Sequence, residues 1–190
     1  MRFTAAQIAQ ATGGEVVGDA GAVIDGVNID SRIVGPGQLF VPIVAERDGH
    51  AFIGKAVDAG ATVYLSSDAG TDVVGTTAVQ VADTALALAD LGRAARTRLP
   101  DRVVGVTGSV GKTSTKDLLA GVLATAYPTA ASEKSFNNEL GLPMTLVNAP
   151  DDTEAVVLEM GARGVGHIDL LCGIGRPTVG VITRVEAVPR

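Results

Sequence analysis

The stretch Val103-Val104-Gly105-Val106-Thr107-Gly108-Ser109-Val110-Gly111-Lys112-Thr113-Ser114-Thr115-Lys116 constrains what this chain can fold into more than any other. A run rich in valine enters a glycine-rich turn, and the turn opens onto residues with helical spacing. Glycines let the backbone bend so that successive amide N–H groups face one anion, and the positive end of the helix dipole adds to them. In such a loop Lys112 reaches the β- and γ-phosphates of a nucleotide, and the Thr113 hydroxyl is placed to ligate Mg2+. The pattern G-x-x-x-x-G-K-[ST] asks for glycine at 106, where this chain has Val106; the tight turn falls at Gly108 instead.

The remainder alternates between strand and helix signals. Short apolar runs at 27–29, 39–43, 61–65 and 78–81 read as strands, separated by turn residues such as Gly35-Pro36-Gly37. Thr4 and Gln7 form a capping-box pattern for a short helix that ends at Gly13-Gly14. Helical spacing recurs over 50–59, with Phe52, Ile53, Ala56 and Val57 on one face. It recurs again over 83–99, with Asp83 at the N-cap and Arg93, Arg96 and Arg98 toward the negative end of the dipole. Beyond Pro100-Asp101, the segments 102–107, 155–159 and 178–183 read as strands, and 112–126, 139–147 and 165–174 as helices. The expected fold is α/β: a small α/β domain over 1–98, a hinge at 99–102, and a parallel-sheet domain over 103–190 with three visible strands.

Composition narrows the function. The 190 residues allow one ordinary domain or two small ones, at roughly 150 residues per domain. With 46% hydrophobic and 19% charged residues, the chain is not a disordered, highly charged one. A net charge of −6 argues against a sequence-independent nucleic-acid binder, whose affinity comes from cationic patches on phosphates. The lone Cys172 forms no internal disulfide and fits a reducing compartment. No apolar core followed by a cleavage site opens the chain, and the charge-free stretch 118–132 contains Pro128 and is too short to span a bilayer. The expectation is a cytoplasmic protein without membrane insertion.

Two further segments sharpen the reading: Ser135-Phe136-Asn137-Asn138-Glu139-Leu140-Gly141-Leu142-Pro143-Met144-Thr145, and Val157-Leu158-Glu159-Met160-Gly161-Ala162-Arg163. Glu159 falls at the C-terminal end of a strand, where ligands bind in open α/β sheets, and beside the Thr113 hydroxyl it would complete a Mg2+ site of hard oxygen ligands. Alone it reads equally as a solvated loop acid, and Asn137-Asn138 also read as turn formers. His167, on an otherwise apolar helix, reads as structural. With TGSVGKTSTKDLL (107–119), SFNNELGLPMTLV (135–147) and VLEMGARGVGHI (157–168) together, the chain resembles the Mur ligases of peptidoglycan precursor synthesis. VNIDSRIVGPGQLFVPI (27–43) and DGHAFIGKAVDAGAT (48–62) are similar to that family's UDP-sugar-binding domain. The serine after GKT and the FNNELG block are most similar to the branch that joins D-alanyl-D-alanine to UDP-MurNAc-tripeptide.

The resemblance implies ATP-dependent amide formation through an acyl phosphate, with ATP and Mg2+ as cofactors and a monomer in the complete form. It implies that backbone N–H groups of Gly108, Ser109, Val110, Gly111, Lys112, Thr113 and Ser114 cradle the phosphates. Lys112 would meet the β/γ-phosphates, and Thr113 and Glu159 would hold one Mg2+. Asn137 and Asn138 would position phosphate or substrate, and Ser31 and Arg32 would contact the UDP-sugar. His50 is a further contact or, equally, a surface residue at a helix start. The family's strand at 178–183 runs on as TNVGxAH, with a histidine for a second Mg2+; here it reads Thr183-Arg184-Val185-Glu186-Ala187-Val188-Pro189-Arg190. The family's C-terminal domain has no counterpart in this sequence. Residues 184–190 therefore read as a truncated or shifted frame, or as a piece of a longer protein, and the central ATP-binding domain as incomplete. The alternative reading is a non-catalytic remnant that at most binds UDP-sugar or nucleotide.

Overall fold

In the first strand and helix, β1 (Arg2–Thr4) and α1 (Ala5–Thr12), the capping box forms as expected. Thr4 Oγ1 accepts the Gln7 N–H at 3.2 Å and Gln7 Oε1 accepts the Thr4 N–H at 3.0 Å. Two donors at the helix start thereby find partners. The computed structural model describes residues 1–68, 74–133 and 136–186; Ser135 and Ala187-Val188-Pro189-Arg190 lie outside them. The chain divides into two units, Met1–Leu91 and Gly92–Arg190.

In the first unit β2 (Glu15–Val17), β4 (Val27–Asn28), β5 (Leu39–Phe40), β6 (Val63–Ser66) and β7 (Thr77–Gln80) form one sheet in the order β2-β7-β6-β5-β4. β2 is antiparallel to β7, and the other neighbours are parallel. β1 pairs with β3 (Val23–Asp25) in a separate antiparallel ribbon. A 3-10 turn at Gly49–Phe52 leads into α2 (Ile53–Asp58), whose Ile53 and Ala56 bury with Val34, Phe40, Tyr64 and Ala78. The parallel order brings the C-terminal ends of β4, β5, β6 and β7 to one edge, and Ser31, Arg32 and His50 follow β4 and β5 there.

α3 (Thr84–Arg96) starts as expected, with Asp83 Oδ1 accepting the N–H groups of Ala85 at 2.8 Å and Leu86 at 2.9 Å. The division between units falls inside α3, earlier than the expected hinge at 99–102. The reason is packing: a Cβ added at Gly92 would lie 2.7 Å from Pro143 Cβ. Arg96, 5% exposed, donates to the carbonyls of Gly175 (2.9 Å), Leu99, Pro100 and Arg176 (each 3.2 Å).

The second unit holds β8 (Val103–Thr107), α4 (Lys112–Leu123), β9 (Thr129–Ala131), α5 (Gly141–Val147), β10 (Ala155–Glu159), α6 (His167–Gly175) and β11 (Val179–Ile182). Its sheet has the order β11-β8-β10-β9 and is parallel throughout, so four strands replace the three that were expected. β9 escapes sequence reading because Thr-Ala-Ala has little strand propensity; pairing of 129–131 with 155–157 specifies it. The 50–59 helix becomes the 3-10 turn plus α2. The 139–147 helix begins at Gly141, because the residues before it form a turn in which Asn138 Oδ1 accepts the N–H groups of Leu140 (3.2 Å) and Gly141 (2.8 Å). All seven residues of α5 are buried. Among the described residues no helix is long and apolar enough to cross a membrane.

Candidate functional site

The loop between β8 and α4 is shaped by two glycines in left-handed backbone, Gly108 at φ +138° and Gly111 at φ +88°. A side chain at either would be strained. Gly111 is the N-cap of α4 and brings no side-chain oxygen to the helix's first N–H groups. Lys112 Nζ folds back over the loop, donating to the carbonyls of Gly108 at 2.6 Å and Ser109 at 3.4 Å. Thr113 and Ser114 are exposed.

A feature the sequence did not suggest lies along this loop. The N–H groups of Ser109 and Val110 donate to the Arg184 carbonyl at 2.7 and 3.4 Å. Glu186 N–H donates to Ser109 Oγ at 3.0 Å, Ser109 Oγ donates to the Glu186 carbonyl at 3.2 Å, and Thr183 Oγ1 donates to the Val110 carbonyl at 2.8 Å. Thr183, Arg184 and Glu186 thus strap the loop at Ser109 and Val110, a pairing of distant segments without local signal.

Glu159 ends β10, in register with Val106 of β8, and is 2% exposed, which replaces the solvated-acid alternative. Asn137 Nδ2 donates to Glu159 Oε1 at 2.8 Å, and the Glu159 N–H donates to Ser132 Oγ at 3.1 Å. Glu159 Oε2 is buried with no hydrogen-bond partner among the described residues. A buried carboxylate oxygen without a donor is costly unless a cation satisfies it. Thr113 stands in the first turn of α4, which packs on β10. Carboxylate and hydroxyl make an all-oxygen donor set suited to Mg2+. Among the described residues no group of three or more His, Cys, Asp or Glu is placed to hold a metal, so the remaining ligands would be water and phosphate, as Mg2+ commonly takes.

Beside it, Glu139 is joined by Arg163 Nη1 at 3.0 Å and His167 Nε2 at 3.0 Å, while His167 Nδ1 accepts the Arg163 N–H at 3.0 Å. Both ring nitrogens of His167 are engaged within this cluster, in keeping with a structural residue.

At the other sheet, Ser31 is 8% exposed. Arg32 is exposed and forks onto Asp30, with Nε–Oδ1 at 2.9 Å and Nη2–Oδ2 at 2.6 Å. Hydrogen bonds from Arg32 hold the Asp30 carboxyl at about 2, below its ordinary 3.8. The folded-state value is depressed, so the stabilisation is present above the ordinary range and is lost as pH falls through about 2. It is small, because the pair is solvated. An NMR titration of Asp30 should show a midpoint near 2 that returns toward 3.8 in Arg32→Gln; a wild-type midpoint at 3.8 would refute the pairing.

The His50 ring is 7% exposed, so the surface alternative for this residue fails. Nδ1 meets Asp48 Oδ1 at 2.6 Å, and Nε2 accepts the Ser67 N–H at 2.9 Å with Ser67 Oγ at 3.2 Å. An Asp–His–Ser line suggests a nucleophile, but Ser67's own N–H already takes the Nε2 lone pair. The trio is a brace between the 3-10 turn and the end of β6.

Residues 23–96 match the family model described as Mur ligase family, catalytic domain, and residues 106–187 match the Mur ligase middle domain. The UDP-N-acetylmuramoyl-tripeptide–D-alanyl-D-alanine ligase of Bacillus subtilis (strain 168) is 42% identical over 165 residues, 86% of this chain and 36% of that protein. The enzyme of the same name from Escherichia coli (strain K12) is 34% identical over 186 residues, 97% of this chain and 40% of that one. Among solved structures, MurF from Acinetobacter baumannii superposes with a TM-score of 0.83 at 33% identity, over 96% of this chain and 41% of that one. MurF ligase from Thermotoga maritima in complex with ADP gives 0.72 at 33% identity, over 84% and 37%. The chain spans about two fifths of the length of these curated relatives.

Proposed function

Because the chain belongs to the Mur ligase family, we propose that it carries the UDP-sugar-binding and ATP-phosphate-binding parts of a ligase joining D-alanyl-D-alanine to UDP-MurNAc-tripeptide. One observation carries this reading most: a buried, donor-poor Glu159 carboxylate ends the strand next to a glycine-shaped loop that opens α4 with Lys112-Thr113. In the reaction, an oxygen of the tripeptide's terminal carboxylate bonds to the γ-phosphorus of ATP and ADP leaves. The amine of D-alanyl-D-alanine then attacks the acyl carbon, phosphate departs, and the amine gives up a proton.

Each residue has a task in that sequence. The N–H groups of 108–114 hold the phosphates, and Lys112 offsets charge on the transferring phosphoryl oxygens. Thr113 and Glu159 would hold Mg2+, which when bound neutralises charge shared between phosphates. Asn137 keeps the Glu159 carboxylate turned by its hydrogen bond, and Asn138 starts α5 under the same segment. Ser31 and Arg32 meet the UDP-sugar, for which Arg32 leaves its Asp30 pair, and His50 braces the adjoining turn. An ATP-consuming step on a nucleotide-linked precursor belongs in the cytoplasm.

A second reading, binding without transfer, is favoured by one observation: the Arg184 carbonyl already takes the N–H groups of Ser109 and Val110. Calorimetry of the whole chain with Mg2+-ADP and with UDP-MurNAc-tripeptide tests the proposal. Both should bind, and Glu159→Gln should weaken Mg2+-ADP by about tenfold or more while sparing UDP-MurNAc-tripeptide. A folded wild-type chain that binds neither overturns it. Phosphate release dependent on both substrates separates transfer from binding alone.

A further inference from the structure

Lys116 lies one turn beyond Thr113 on α4 and is 3% exposed. Lysine is almost never so buried unless its ammonium is paired, and nothing in the nucleotide reading gives it a task. Its Nζ donates to the Ser132 carbonyl at 2.7 Å and pairs with Asp117 Oδ1 at 2.8 Å. Ser132 is itself 2% exposed and directs its other polar groups at β10: its N–H donates to the Val157 carbonyl at 3.0 Å, and its Oγ accepts the Glu159 N–H at 3.1 Å. A continuous line therefore runs from α4 through Lys116 and Ser132 to the backbone of Glu159, and on through the Glu159 carboxylate to Asn137.

Thr113 and Lys116 are three residues apart on one helix, a spacing that puts them on neighbouring positions of its surface. Thr113 and Glu159, by contrast, stand on different elements, and their spacing depends on how α4 is held against the end of β10. We infer that Lys116 is a positioning residue: by gripping Ser132 it fixes Glu159 against the Thr113 hydroxyl and so presets the two protein ligands of Mg2+. This rests on the nucleotide reading above. The buried ammonium trades desolvation for a fixed distance between a helix and a strand end, which a packed apolar side chain would set less directionally.

The test uses the whole chain and ADP, with Mg2+ and with EDTA, in Lys116→Met, Lys116→Arg and Ser132→Ala. Methionine keeps an unbranched, apolar stem and removes the ammonium. Lys116→Met should cut the gain in ADP affinity brought by Mg2+ by about tenfold or more, while metal-free ADP affinity stays within twofold. Lys116→Arg should recover part of the gain. Ser132→Ala, which removes the acceptor of the Glu159 N–H but leaves Lys116 its carbonyl, should reproduce the loss. Amide exchange at Glu159, measured without nucleotide, should quicken in both Lys116→Met and Ser132→Ala. Equal loss of metal-free and Mg2+-supported affinity would mean a merely structural role and overturn the inference, as would unchanged exchange at Glu159. If Lys116→Met fails to fold, Lys116→Arg and Ser132→Ala decide it. A wild-type chain that binds no ADP refutes the nucleotide reading, and exchange at Glu159 then still decides whether Lys116 fixes that strand end.

Discussion

Lys112→Ala is expected to weaken Mg2+-ADP binding about a hundredfold with little change in stability. The Lys112 ammonium now rests on the Gly108 and Ser109 carbonyls, and phosphate oxygens would replace those partners. Hydrogen bonds to charged groups contribute about 1.5–3 kcal/mol. Losing one such bond and its charge by about 3 kcal/mol corresponds to roughly a hundredfold, at 1.4 kcal/mol per factor of ten. The folded chain loses little, because loop carbonyls at the surface find water. Calorimetry of Lys112→Ala beside wild type, with circular dichroism on both, checks this. An affinity within threefold of wild type would remove Lys112 from the phosphate site.

Arg96→Ala should destabilise the second unit by about 3 kcal/mol, read as a fall of roughly 12–24 °C in its thermal transition. The guanidinium supplies donors to four carbonyls, those of Leu99, Pro100, Gly175 and Arg176, and Asp101 stands 3.7 Å away. Burial pulls its pKa down, yet an arginine stays protonated, so a cation is held here by carbonyl dipoles. Alanine leaves those oxygens without donors, at about 1–3 kcal/mol for each one that water does not reach. Arg96→Lys, which keeps the charge but not the planar fork, should fall between the two. A shift under 2 °C in the alanine variant would mean that water replaces the arginine without loss.

Much of the architecture was legible because its signals are local. The loop at 108–111, the Asp83 cap and the Thr4–Gln7 box each depend on residues within one turn of one another, and each formed as the spacing indicates. The three-residue strands β1, β2, β3 and β9 were not legible. They are too short to show a period, and their conformation comes from partners as distant as Gln80 for Glu15. The site divides in the same way. Lys112, Thr113 and Glu159 follow from residue type and place, whereas the burial of Glu159 and His50 depends on packing across elements. Lys116 carries no signal in the sequence, where a lysine after a helix start reads as solvent-facing by default; only Ser132, brought in by β9, gives it a buried partner. The strap of 183–186 had no local sequence signal, since its backbone and side-chain bonds all join segments far apart in the chain.

That strap has a consequence for any affinity measured on this chain. A phosphate that takes the N–H groups of Ser109 and Val110 must displace the Arg184 carbonyl from both. Only molecules in which the strap has let go are competent, and the observed dissociation constant is the intrinsic one divided by that fraction. With the strap released in about one molecule in ten, binding is weaker by about tenfold although every phosphate contact is intact. The grip on nucleotide is then an equilibrium between two occupants of the same donors, one of them part of the chain itself.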